Sequence, residues 1–155
     1  ILPESIESKT AKMFRIFGPK EGENKKIIFD ILKIPSELEW NPQTVSFEFS
    51  KGPSESSIRT DIQQVLNHYK GKQVHEQILE ILSYLNGCSD VSSQIDVCFP
   101  VALDNQKVQF MIYDTPGTDS NYQEHQDVLL DALNEQTQSI LIFVAKPDGL
   151  EGTGG

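Results

Sequence analysis

The chain has 155 residues, enough for one domain with a single core. Thirteen Lys and Arg against 23 Asp and Glu give a net charge of -10. That acidity argues against free nucleic acid as a partner and against this segment itself lying on an anionic membrane. A hydrophobic content of 37% is that of a folded chain, not a disordered one. Cys88 and Cys98 form no Cys-x-x-Cys pair and no metal spacing with His68, His75 or His125, so reduced thiols in the cytoplasm are expected. No apolar run is long enough to span a bilayer.

Residues Ile1 to Thr10 form a short polar stretch. Ala11–Phe17 alternates Met13, Arg15 and Phe17 against Phe14 and Ile16, which predicts a strand. Gly18-Pro19 and Gly22 mark a turn, and Lys25–Leu32 is the expected return strand of a hairpin. Pro35 and Pro42 predict an irregular Ile34–Trp40, with Trp40 packing the core rather than binding a base. Thr44–Phe49 alternates cleanly and reads as a third strand.

Two helices follow. Ser56 or Ser57 caps the first, Ser56–Lys70, whose Ile58, Ile62, Val65, Leu66 and Tyr69 share one face, and Gly71 stops it. The second, Lys72–Asn86, carries Val74, Ile78, Leu79, Ile81, Leu82 and Leu85 and ends at Gly87. Together residues 56–86 read as an inserted helical hairpin, with His68 and His75 solvated or partly packed. After a loop at 88–93, Gln94–Leu103 is a strand that Pro100 should confine to an edge or a bulge. Asp104-Asn105-Gln106 turns the chain, and Lys107–Tyr113 should return antiparallel to it.

The run Val108–Tyr113 ends abruptly in Asp114-Thr115-Pro116-Gly117. An aspartate at a strand tip can hold Mg2+, through water where the ion keeps its hydration shell. Gly117 lets backbone N–H approach a terminal phosphate without a Cβ in the way, Pro116 stiffens the turn, and Thr115 offers a hydroxyl. The same residue types also make an ordinary turn. A polar loop, Thr118–Gln123, then precedes an expected helix Glu124–Gln136 with Val128, Leu129, Ala132 and Leu133 on its inner face. Ser139–Ala145 is an apolar run expected to be a buried strand, and Lys146-Pro147-Asp148 a turn.

Asp114-Thr115-Pro116-Gly117, with Thr118-Asp119-Ser120 and Glu124-His125 behind it, resembles the third GTPase motif of the dynamin superfamily, most nearly in its bacterial dynamin-like and mitofusin-type members. The stretch from Ile1 to Ile16 is similar to the region after the phosphate loop in that family. The resemblance implies an α/β domain of the P-loop GTPase type, incomplete, with three layers and a mixed sheet. It implies that GTP and Mg2+ are bound: Asp114 and Thr10 toward the metal, Thr10, Thr115 and Gly117 toward hydrolysis, and Asp114 to Gly117 around the nucleotide. It implies self-association of the GTPase domains as a homodimer or larger assembly, and membrane remodelling through regions outside this chain, at a location that is cytoplasmic or peripheral to a membrane. His125 is expected to be an exposed residue of a first helical turn.

No Gly-x-x-x-x-Gly-Lys-Ser/Thr occurs in the 155 residues, and no Thr-Lys-x-Asp in a fitting place. Neither end looks like a natural terminus, which predicts a fragment of a longer protein. Two rivals stay open: a non-catalytic or degenerate α/β interaction module, and a GTPase of another branch.

Overall fold

The computed structural model describes residues 12–100, 111–115, 127 and 130. They contain strands β1 (Met13–Phe17), β2 (Lys26–Ile31), β3 (Ile34–Asn41) and β4 (Ser46–Lys51), helices α1 (Ser57–Tyr69) and α2 (Val74–Asn86), and strands β5 (Gln94–Cys98) and β6 (Met111–Asp114). The six strands form one mixed sheet in the order β4-β3-β2-β5-β1-β6. β1 and β5 run parallel, and every other neighbouring pair is antiparallel. This is an α/β architecture. The expected helix at 124–136 is represented by Asp127 and Leu130, which are helical and exposed. The rest of that helix and the expected strand at 139–145 lie outside the described residues.

Alternation decides which face of the sheet is buried. Ile27, Phe29 and Ile31 of β2 point to one side, with Leu38 of β3, Phe47 of β4, Ile95 and Val97 of β5 and Phe14 of β1 beside them. Both helices lie on that side. Ile58, Ile62 and Leu66 of α1 and Ile78, Ile81, Leu82 and Leu85 of α2 recur at three- and four-residue spacing and complete the same core. Trp40 is half-buried against this core, its ring edge-on to Phe47 at 5.1 Å. The opposite face is lined with ion pairs. Arg15 meets Asp96 at 2.6 Å, and Glu37 lies between Lys26 at 3.3 Å and Lys51 at 3.1 Å.

The helix ends follow from local chemistry. Ser56 caps α1, its hydroxyl accepting from Arg59 N at 3.2 Å. Beyond the end of α1, Gly71 takes a positive φ of 86° that L side chains avoid. Its N–H then donates to Val45 O, tying the helix turn to the β3–β4 turn. Gln77, buried in the second turn of α2, donates to that same carbonyl at 2.9 Å.

Five expectations fail, each for a physical reason. Ile34–Trp40 is not irregular but the longest strand of the sheet. Pro35 is tolerated because β4 pairs with β3 only from Glu37 onward, so no neighbour on that side asks for the missing N–H. β1 and β2 are not a hairpin: β5 stands between them. β5 is accordingly a central strand rather than an edge, since it ends at Cys98, two residues before Pro100. β6 does not return along β5 but pairs antiparallel with β1, on its far side. The hairpin that does form joins β2 to β3 through Leu32 and Lys33, with φ of 48° and 67°. Two left-handed residues in a two-residue loop make the primed turn whose twist suits paired strands. The strand expected from Thr44 starts at Ser46, because Val45 takes a positive φ of 51°.

Candidate functional site

The site begins with the sheet's connectivity. β6 ends at Asp114, and in the β1–β6 register Asp114 stands opposite Phe14. Because the pair is antiparallel, the carboxyl end of β6 lies beside the amino end of β1, where the chain arrives from Thr10. β5 also starts there, with Gln94 opposite Met13. Phe14 and Asp114, 100 positions apart in sequence, thus stand side by side at one end of the sheet. Thr10, Pro116 and Gly117 themselves lie outside the described residues. Thr115 directly follows β6 and is half-buried.

Asp114 is half-buried, and among the described residues no hydrogen bond or ion pair reaches its carboxyl. Burial alone therefore acts on it and pushes its pKa above the ordinary aspartate value. A carboxylate that has lost water and gained no protein donor suits a hard cation that brings its own charge and water. No group of three or more His, Cys, Asp and Glu is arranged around a metal site among the described residues. A metal here would be held by one carboxylate, with water and phosphate oxygens, which is the usual coordination of Mg2+. The described residues supply one such ligand, the Asp114 carboxylate.

Arg15 is committed elsewhere. On the opposite face, Arg15 donates from Nε and Nη2 to the two oxygens of Asp96, at 2.7 and 2.6 Å. These hydrogen bonds hold its pKa above the ordinary arginine value, with Tyr113 adding to them. Tyr113 precedes Asp114 and packs on Met13, so the pair braces the back of β6 where it crosses β1.

Lys12 escaped the sequence analysis. It is 7% exposed, and its Nζ donates to Val91 O at 2.8 Å, across the sheet end from β6. The next residue, Met13, donates its N–H to Ser93 O at 2.8 Å. The sequence held one signal for it, a lysine inside the apolar run that begins β1, but lysines at strand starts are ordinarily solvated.

Two hollows of the described surface lie elsewhere. One of about 490 Å³ runs along the outer side of α1 past Ser56, Arg59 and Gln63. Another of about 210 Å³ lies beside Trp40, Glu39 and Glu48. Neither is lined by Asp114 or Thr115. His68 and His75 are exposed, as expected. Cys88 and Cys98 carry free thiols. No helix among the described residues is long and apolar enough to cross a membrane. Comparison with protein-family models, with curated proteins and with solved structures found no match.

Proposed function

We propose that the chain supplies the metal-binding and γ-phosphate-sensing part of a dynamin-like GTPase domain. The observation that carries this reading is Asp114: a half-buried carboxylate with no protein partner among the described residues, at a strand tip beside the start of the strand that follows Thr10. In this reading Asp114 and Thr10 hold Mg2+, Asp114 through a water, and the ion supplies positive charge to the phosphates. Thr115 presents its hydroxyl, Pro116 stiffens the turn, and the Gly117 backbone N–H faces the terminal phosphate. Thr10 also places the attacking water. Hydrolysis then rests on position and charge rather than on a covalent intermediate. The phosphate loop and the guanine-reading motif come from sequence outside these 155 residues. The same reading includes the P-loop type of fold, association of two GTPase domains across their nucleotides, and membrane contact through regions outside the chain.

The test is equilibrium binding of a fluorescent GTP analogue to the full-length native polypeptide, with and without Mg2+, and phosphate release from GTP. Asp114→Asn is expected to remove the Mg2+-dependent part of the affinity and the hydrolysis. A wild-type protein that binds no GTP sinks the reading, and so does an Asp114→Asn variant with unchanged Mg2+ dependence. The alternative is an α/β interaction module without catalysis, favoured if the native protein lacks a Gly-x-x-x-x-Gly-Lys-Ser/Thr altogether. The same binding measurement separates the two.

A further inference from the structure

We infer that the contact between the β3–β4 turn and the turn joining α1 to α2 is a latch that opens on its own, ahead of the core. It lies at the β4 edge of the sheet, away from Asp114, and does not depend on the GTPase reading. Val45 carries the inference. A β-branched residue with a φ of 51° is an outlier, because its Cβ crowds the backbone there. Val45 is also 39% exposed, so close packing is not what holds it. Its neighbours in the turn are tied by side chains: Gln43 N donates to Asn41 Oδ1 at 3.0 Å, and Thr44 Oγ1 to Glu48 Oε1 at 2.8 Å. Val45 is outside that set. Among the described residues, the hydrogen bonds that reach it are two that its carbonyl accepts from the helical hairpin, from Gly71 N and Gln77 Nε2, each at 2.9 Å. Those two bonds oppose the strain.

The other half of the contact is also incomplete. Gln77 is 1% exposed. Its Nε2 donates to Val45 O and to Lys72 O, which uses both amide protons. Its Oε1 is buried and has no hydrogen-bond partner among the described residues. A buried acceptor without a donor favours any state in which water reaches it. The closed contact therefore sets two bonds to one oxygen against strain at Val45 and a dry acceptor at Gln77. Around it the surface is open, since Lys70, Gly71, Lys72 and Gln73 are exposed. The next buried apolar residues of the two helices, Leu66 and Ile78, belong to the core at 2% and 1% exposure. Opening can thus stop at the turn. Gly71 and Gln77 release Val45, water reaches Oε1, and both helices stay packed on the sheet. The device lets the tip of the helical hairpin leave the sheet without unfolding either.

Hydrogen exchange followed by NMR on the full-length native polypeptide tests this, comparing wild type with Val45→Asn. Asparagine enters the left-handed region more readily than valine. In wild type, the Gly71 amide and the Gln77 side-chain amide are expected to share one protection factor, at least about tenfold below that of the β2 amides. Low urea should leave it unchanged, because the opening exposes little surface. Val45→Asn should slow both exchanges by roughly fivefold as the strain is relieved. Gly71 and Gln77 protected as strongly as β2, with the same urea dependence, overturn the inference: the contact then opens only with the whole fold. Unequal protection at Gly71 and Gln77 also overturns it, leaving a frayed turn rather than one device. So does a Val45→Asn protein with wild-type exchange at Gly71, which removes the strain as the cause. The first two outcomes are read on wild type alone and stand even where Val45→Asn does not fold.

Discussion

The β2–β3 turn offers a test of the fold that needs no ligand. Leu32 and Lys33 hold φ of 48° and 67°, a region that L residues enter at a cost of roughly 1 kcal/mol or more each. Replacing the pair by Asn-Gly puts in the residues such a turn favours. Leu32 is 58% exposed, so little apolar packing is lost with it. Its backbone N–H to Asp90 O is kept by any residue but proline. Glycine's extra freedom in the unfolded chain returns roughly 0.5–1 kcal/mol of the gain. The net expectation is a stabilisation of about 1 kcal/mol, which in a chain of this size raises Tm by roughly 2–4 °C. Thermal melts by circular dichroism, with urea midpoints at unchanged m, read it directly. A lower Tm would refute the argument. It would mean that Leu32 does work in the folded state that its exposure conceals.

Other predictions follow from single side chains. Ile62→Ala empties a position that is 1% exposed and should cost about 2–5 kcal/mol, measured by urea unfolding. Burial alone would raise the Glu37 carboxyl, but hydrogen bonds from Lys51 and Lys26 overcome it and hold it below the ordinary value. Its stabilising contribution is therefore complete above the unfolded glutamate pKa of about 4.3 and is lost as pH falls through the lower folded value. Glu37→Gln should cost about 1 kcal/mol at pH 7, because Lys51 is largely solvated, and the gap to wild type should close in acid. Asp114 has the opposite sign. Its folded pKa is raised, so its charge weakens the fold above that value and the penalty vanishes below the unfolded value. Asp114→Asn should melt slightly higher than wild type at neutral pH and equally in acid, as thermal melts at the two pH values would show.

What could be read from the residues depended on how far apart the deciding contacts lie. Both helices were legible because their evidence is local: a serine cap at Ser56, three- and four-residue apolar spacing, and Gly71 past the end. The strand at β2 and the packing of Trp40 were legible for the same reason. Strand pairing was not. Neighbours in sequence are the usual neighbours in space, yet β5 enters between β1 and β2 from far downstream, and no residue of Gly18–Gly22 announces it. Pro35 was misread because its cost depends on whether a neighbour needs its N–H, and that neighbour begins two residues later. At the site, Asp114 and Thr115 were legible as a motif. Lys12 was not, because one of its partners is a carbonyl 79 positions away.

The parallel pairing of β1 with β5 has a consequence for assembly in time. β2, β3 and β4 can zip together through short turns, and α1 and α2 follow them closely in sequence. β1 has no such option. Arg15 and Asp96 are 81 positions apart, and closing a loop of that length costs roughly 4 kcal/mol of chain entropy before any contact repays it. β1 must therefore wait for β5, which follows both helices in sequence. β6 waits in turn, because β1 is the strand it pairs with among the described residues. Among the described residues, the end of the sheet that carries Asp114 is then expected to form after the meander and to open before it. Mild denaturant should silence the site while the meander and its two helices are still intact.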